Sequence, residues 1–361
     1  MKNVILLGVD GFGGQWPKPC DLNGLNIVAI VDNCEEARLR AAKELGIAPD
    51  RVFDGADLSW TQVEADGIIE ATAPGRRVDR VTAALESGKD VIMAKPPVLN
   101  LEDLYRIKET RDRCKREVHV ATQKRYFPAY RRVKDIIEKE PLGKLVYAEI
   151  NLRVDGTYWE SGFYWRKKLP YPSLIDGSIH HFDLLHWWTG ANFIKVSGAA
   201  SWNPSWSPFD YDCDMAAMYA MDNGAVVKYT SRWSMKEGPI INYFEGIRLE
   251  FENAVLEVNG GKLYQNGQYI PIIADGTTMM DTGELNIYIL SDILKSIRDK
   301  ADYYQTSVEN HFEPFRVIIA SVAAIMNETS VDITTIDSHL EEYGVSREQM
   351  NRMMEHVFER D

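Results

Sequence analysis

Apolar positions repeat in two different ways along this chain, and the change in period falls near residue 123. Before it, Val4-Ile5-Leu6-Leu7 and Ile27-Val28-Ala29-Ile30-Val31 are unbroken apolar runs, as in parallel strands buried on both faces. Between such runs lie helical stripes. Glu35 to Leu45 places Ala37, Ala41 and Leu45 on one side and stops at Gly46, a usual helix terminator. Gly67–Thr72, a helix around Arg77–Glu86 and the fifth strand at Asp90–Met93 continue the alternation. This order predicts an α/β domain over residues 1–122, built on a doubly wound parallel sheet.

Beyond residue 123 the pattern becomes a strict alternation. In Lys144–Val154 the apolar Val146, Ala148, Ile150, Leu152 and Val154 are separated by polar residues and Tyr147, as in a sheet with one face covered by helices. Further strands are predicted at Lys195–Trp202, Tyr211–Met221, Ala225–Trp233 and Gly246–Glu252. Asp222-Asn223-Gly224 is a hairpin signal. The second domain, 123–332, is therefore an α/β domain with an open, mostly antiparallel sheet. Helices are predicted near Glu284–Lys300, Asn310–Glu328 and Asp337–Glu359, the last forming a C-terminal helical extension over 333–361. A length of 361 residues suits two domains.

Charge narrows the partners. With 54 acidic against 41 basic residues the net charge is −13, which repels phosphate backbones, so no nucleic acid is expected. Lys124-Arg125 and Arg131-Arg132 read as a site-lining or solvated helix face. The four cysteines, Cys20, Cys34, Cys114 and Cys213, form no C-x-x-C pair; reduced thiols in the cytoplasm are expected, with no metal site. Met1-Lys2-Asn3 runs straight into a strand and no apolar run approaches the ~20 residues of a membrane span. Neither a signal peptide nor a membrane partner is expected.

The first strand ends in Gly8-Val9-Asp10-Gly11-Phe12-Gly13-Gly14, and Asp32 closes the second. Gly8 and Gly13 hold the first and third glycine positions of a dinucleotide fingerprint, and Asp32 is placed to accept from ribose hydroxyls. An acid there favours NAD and makes NADP less suitable, because it repels a 2′-phosphate. Candidate cofactor contacts are Gly8, Asp10, Gly11, Phe12 and Gly13, with Asp32, Thr72 at the end of the strand 67–72 and Pro74 past it. The alternative is a glycine-rich turn with Asp32 as an ordinary strand-end cap. Asp10 replaces the middle glycine and brings a carboxylate toward the phosphates. Trp16-Pro17-Lys18-Pro19 shortens the first helix, with Pro17 at its first position.

Two further features carry chemistry. Lys95 closes the fifth strand, where an ammonium stabilises a developing alkoxide. Asp176, His180 and Asp183 fall about a turn apart on one predicted helix face, so His180 can take a hydroxyl proton with a carboxylate to tune it. The bland alternatives are a surface lysine, an Asp176 N-cap, a packed His180 and a metal cluster. His181 and His186 point away from that face.

Glycine loop, Asp32, Met93-Ala94-Lys95-Pro96 and Asp176-x3-His180-x2-Asp183 together resemble the Gfo/Idh/MocA family, the glucose–fructose oxidoreductase and inositol dehydrogenase relatives. The resemblance runs from Lys2 to about Asp332. It implies an N-terminal Rossmann domain, a C-terminal open-sheet domain, and NAD(P)-dependent oxidation or reduction of a sugar, cyclitol or related polyol. It implies that Lys95 contacts substrate and nicotinamide ribose, that His180 is the acid/base, and that Asp176 binds substrate and tunes it. Asp183 would be an orienting or structural group. The usual Glu-Lys-Pro is here Ala94-Lys95-Pro96, and Leu169-Pro170-Tyr171-Pro172-Ser173 replaces a glycine-rich stretch, implying a stiffer wall. Ala121–Pro128 resembles the interdomain crossover, so Gln123 is a candidate cofactor contact and Arg125 a candidate substrate contact; capping the helix from Pro128 is the alternative for both. Of nine tryptophans, one or two are expected to stack on sugar, with Trp165 the named candidate beside Tyr158, Trp159 and Tyr164. The others would be core or interface anchors. A homo-oligomer, dimer or tetramer, would cover the open sheet. Two other outcomes stay open: an NAD-dependent glycosidase using transient oxidation and elimination, and a non-catalytic sugar- or partner-binding protein with a degraded cofactor site.

Overall fold

The computed structural model describes residues 1–156, 164–235, 243–272 and 282–358. It divides into two compact units, one comprising Met1–Gln123 with Asp281–Phe312, the other Lys124–Met280 with Glu313–Glu359.

The first unit is a six-stranded parallel sheet in the order β3-β2-β1-β4-β5-β6. Its strands are β1 Asn3–Leu7, β2 Asn26–Asp32, β3 Val52–Asp54, β4 Gly67–Glu70, β5 Asp90–Ala94 and β6 Val118–Ala121. Val4 to Leu7, Ile68, Ile69 and Val91 to Met93 are fully buried, which is why no polar residue interrupts them. Helices α1 Pro17–Leu22, α2 Glu35–Leu45, α3 Arg77–Glu86 and α4 Leu101–Cys114 fill the crossovers. The doubly wound expectation holds. Gly46 ends α2 at φ 69° and Pro17 opens α1. At six residues α1 is as short as its prolines require.

The domain expectation of a continuous 123–332 region differs from the compact units. α8, Thr282–Asp299, packs on α1 and β6, and Asn23 Nδ2 donates to the Ile287 carbonyl at 3.1 Å. The chain thus returns to its first unit after leaving it. The physical reason is that a short α1 leaves apolar sheet surface for another helix to bury, and Leu285, Ile289 and Ile293 of α8 are fully buried.

The second unit carries a nine-stranded sheet in the order β14-β13-β12-β11-β7-β10-β9-β8-β15. Its long strands are β7 Leu145–Val154, β8 Phe193–Trp202, β9 Asp214–Met221, β10 Val226–Arg232 and β11 Tyr243–Phe251. The short ones are β12 Val255–Asn259, β13 Lys262–Gln265, β14 Gln268–Ile270 and β15 Val331–Asp332. Among the described strands every pairing is antiparallel except β10 with β7. Gly224 turns the predicted β9–β10 hairpin at φ 89°. In β7 the inward set begins at Leu145, not at Val146, which is 52% exposed. A register shift in β11 between Glu250 and Phe251 lies opposite this point, and such a bulge flips one residue to the other face.

Helices α5 Pro128–Lys139, α6 Tyr164–Lys168, α7 Ile179–Thr189, α9 Phe312–Met326 and α10 Arg347–Met354 complete the described α-helices. The expected helix Asp337–Glu359 is instead α10 with separate short turns. Gly344 sits at φ 75° and Ser346 opens α10 with a reciprocal capping box to Gln349, so the chain stops and restarts. The buried Met350 and the Trp165–Phe358 ring contact at 6.0 Å tie this segment to the second unit. All four cysteines are free, and no described helix is long and apolar enough to cross a membrane.

Candidate active site

In the first unit the candidate residues gather at the carboxyl ends of the strands, where ligands of such sheets bind. Gly8 follows β1 at φ 80°, and a Cβ there would meet Ala71 and Thr72 backbone at 3.0 Å. A Cβ on Gly13 would lie 2.0 Å from the Gly8 carbonyl. Both positions thus demand glycine for a tight turn. The Val9 N–H donates to Asp32 Oδ2 and the Cys34 N–H to Asp32 Oδ1, each at 2.8 Å. Asp32 is half-buried; with one donor on each oxygen it keeps lone pairs for ribose hydroxyls. This cradle fits a dinucleotide.

Asp10 is the departure from the fingerprint. Its side chain is 69% exposed and pairs with Arg40 Nη2 of α2 at 3.2 Å, which draws its charge off the loop. Replacing Asp10 by glycine is expected to tighten dinucleotide binding roughly fivefold, since a like charge near a phosphate costs about 1 kcal/mol. Arg40→Ala should weaken it. A fluorescence titration with NADH measures both, and unchanged affinity in Asp10→Gly refutes the repulsion. Phe12 meets Trp16 edge-on with ring centroids 6.1 Å apart. Gln123 is buried and its Nε2 donates to Asn286 Oδ1 of α8 at 3.3 Å.

At the ends of β4 and β5 the sequence reading missed a buried ionic cluster. Glu70 and Arg77 are 0% and 1% exposed. Arg80 Nε donates to Glu70 Oε2 at 3.0 Å, and the Thr72 N–H donates to Glu70 Oε1 at 3.0 Å. Arg77 donates to the carbonyls of Thr72, Ala94 and Pro96. Pro74 is buried, and Lys95 is half-buried at the end of β5.

In the second unit Asp176 and His180 do not share one regular helix. Ser173–Ser178 is wound as a π-helical turn and α7 begins at Ile179. Gly177 makes room for this wider turn: its Cβ would meet the Trp233 indole at 2.8 Å. Such turns recur at functional sites. Asp176 is 2% exposed and accepts from Arg166 Nε at 2.6 Å. Arg166 lies over the Trp165 ring at 4.8 Å, so buried Trp165 supports the Arg166–Asp176 pair. Tyr158 and Trp159 lie outside the described residues. His180 is half-buried in the first turn of α7.

Asp183 is engaged elsewhere. Arg125 Nη2 and Nε meet its two oxygens at 2.6 and 2.8 Å, with both side chains about 99% and 98% buried. That fork binds the crossover segment to α7. Lys124 and Arg125 are therefore not a solvated face, because each finds a buried acid: Lys124 pairs with Glu245 of β11. Glu245 also contacts His181 Nε2, and His181 Nδ1 lies 3.0 Å from Tyr229 Oη. Burial alone would raise the Glu245 carboxyl, yet the Lys124 ammonium and His181 hold it well below the usual range. Burial, then Lys124, lowers the His181 imidazole. A neutral ring donating from Nε2 to Glu245 and accepting at Nδ1 from Tyr229 satisfies every group. The partners lie 48 to 121 residues apart in the chain, so no local spacing reveals them.

The profile described as an oxidoreductase family with NAD-binding Rossmann fold matches residues 2–122, and that of the GFO/IDH/MocA C-terminal domain matches 130–258. An uncharacterised protein, y4oX of Sinorhizobium fredii, is 24% identical over 69% of this chain and 71% of its own length. The scyllo-inositol 2-dehydrogenase (NAD(+)) of Bacillus subtilis is 28% identical over 56% of this chain and 58% of its own. The chain spans 40% of a third relative, the YteT protein of Bacillus subtilis, at 28% identity over 46% of this chain. Among solved structures, an Agrobacterium radiobacter oxidoreductase in complex with NAD+, L-tartaric acid and magnesium superimposes with a TM-score of 0.80 at 18% identity. It covers 93% of this chain and 99% of that one. The myo-inositol 2-dehydrogenase of Lactobacillus plantarum gives 0.76 at 14% identity, covering 92% and 99%. These two show a common fold.

Proposed function

The chain belongs to the Gfo/Idh/MocA family of oxidoreductases, and from that premise we propose that it moves hydride between a nicotinamide cofactor and a hydroxyl or carbonyl of a sugar, cyclitol or sugar-derived acid. The observation that carries this reading is the glycine cradle locked to Asp32, on a chain that keeps Lys95, Asp176 and His180. A bound nicotinamide would supply the hydride acceptor. The chain's own residues would do the rest. His180 takes the hydroxyl proton at its imidazole, Lys95 donates to the oxygen as charge develops, and Asp176, fixed by Arg166, holds the substrate. Gly8, Gly13 and Asp32 would hold the cofactor, and the Arg125–Asp183 fork would hold α7 in place.

Asp32 supports NAD over NADP. Replacing it by serine is expected to raise NADP affinity relative to NAD by about tenfold or more, because a like-charge contact disappears. Paired titrations with NADH and NADPH measure this, and an unchanged ratio contradicts the assignment.

The Asp10–Arg40 pair favours a working cofactor site over a degraded one. A homo-oligomer is part of the proposal: Ala216, Thr230, Asn151 and Gly246 are aligned on adjoining strands of the nine-stranded sheet and are half-exposed. Screening polyols, inositols and sugar acids for NADH formation tests the reading. Hydrolysis of a glycoside with no net NADH would point to the eliminating alternative.

A further inference from the structure

We propose that Arg77 is the positioning residue of Lys95, a role that rests on the oxidoreductase reading above. Lys95 sits on the first residue past β5, and a side chain on a strand end is placed only as well as the backbone under it. Arg77 grips that backbone on both sides. Its Nη1 donates to the Ala94 carbonyl at 2.8 Å and to the Pro96 carbonyl, and its Nη2 donates to the Thr72 carbonyl past β4. The residues bracketing Lys95 are thereby tied to the neighbouring strand end by one rigid guanidinium.

This grip needs arginine. Its planar fork presents several donors in fixed directions, whereas an ammonium is a single point that cannot span three carbonyls. The cation is 1% exposed, and neutral carbonyls alone do not offset the burial of a charge. Glu70, 0% exposed, supplies the counter-ion: its Oε1 lies 3.5 Å from Arg77 Nε, and its Oε2 accepts from Arg80. The register pairs Glu70 with Met93, one residue before Ala94. A buried acid thus stands on the adjoining strand, while the position before Lys95 carries no acid. The arrangement is Glu70 holding Arg77, and Arg77 holding the two peptides around Lys95.

The consequence is geometric. A displacement of about 1 Å at a catalytic group costs up to roughly a hundredfold in rate. Arg77→Lys is therefore expected to lower kcat about 10- to 100-fold, with smaller changes in KM and NADH affinity. Glu70→Gln should lower kcat in the same direction by a smaller factor. Arg77→Ala should regain part of its turnover in millimolar guanidinium chloride and none in equal sodium chloride.

A second readout needs no substrate. The rate at which Lys95 reacts with an acylating reagent, measured by peptide mass spectrometry, should change about fivefold or more in Arg77→Lys, with the remaining lysines unaltered. Circular dichroism selects the folded variants, and Glu70→Gln stands in where an Arg77 variant does not fold. Wild-type acylation of Lys95 in folded Arg77→Lys, or kcat and KM falling together without guanidinium rescue, overturns the proposal. A protein that turns over no polyol while Lys95 acylation still depends on Arg77 would sink the oxidoreductase reading and leave the positioning role standing.

Discussion

Alanine at His180 is expected to lower turnover by roughly 10²- to 10⁴-fold, the usual worth of a positioned general base, while NADH binding stays at wild-type strength. The two effects separate because the glycine loop and Asp32 are built on β1 and β2, and His180 stands in the first turn of α7. A role in packing alone would give a different pattern. His180 is half-buried, whereas its neighbour His181 is fully enclosed, so truncating His180 should leave the thermal midpoint nearly unchanged. Steady-state kinetics, a cofactor titration and a melting curve on one preparation distinguish the outcomes. Full turnover in His180→Ala would remove it from the chemistry.

The largest stability effect is expected at Glu245. It is 6% exposed and neutralises Lys124, which is 7% exposed, while also accepting from His181. Removing one member of such a buried pair leaves the other charge without its counter-ion, at a cost of about 3–5 kcal/mol. Glu245→Gln should therefore lose that much in urea unfolding. Because the Glu245 carboxyl is held well below its ordinary value of 4.5, its contribution is fully present above the unfolded-state pKa and disappears as pH falls through the folded one. His181 acts in the same direction. Burial keeps it neutral in the folded protein, so the unfolded chain takes up a proton first as pH drops below about 6.5. Stability should fall on acidification in two stages, and Glu245→Gln should lack the lower one. A flat profile from neutral pH to pH 4, or a Glu245→Gln variant as stable as wild type, would contradict this account.

What the sequence reveals and what it hides follow from the range of the interactions. Gly8 and Gly13 are legible because their requirement is local: two stretches of backbone approach too closely for a Cβ. The strands of the first unit are legible because both their faces are buried. Pairings of distant residues are not, and Lys124 and Arg125 look like solvated cations until Glu245 and Asp183 arrive opposite them. The Arg77–Glu70 cluster is hidden for the same reason, although two arginines facing a glutamate in an apolar strand are a signal worth reading. The spacing puts Asp176 on the same regular helix as His180, and only the π turn shows that its position is set separately, with Arg166.

Some of the rest was readable. Strands β12, β13 and β14 are absent from the expected elements, yet their connections, Gly260-Gly261 and Asn266-Gly267, are two-residue hairpin signals whose four residues all take positive φ. Gly344 and the following Ser346 likewise mark a break in the last predicted helix.

Hydride transfer from substrate to nicotinamide is the step from which every assigned role follows. The most direct test uses a polyol substrate deuterated at its carbinol carbons, with mass spectrometry of the recovered cofactor. Deuterium is expected on the reduced nicotinamide, with the label lost in His180→Ala. Conversion of substrate with no deuterium ever reaching the cofactor, or no nicotinamide binding at millimolar concentration, would contradict it.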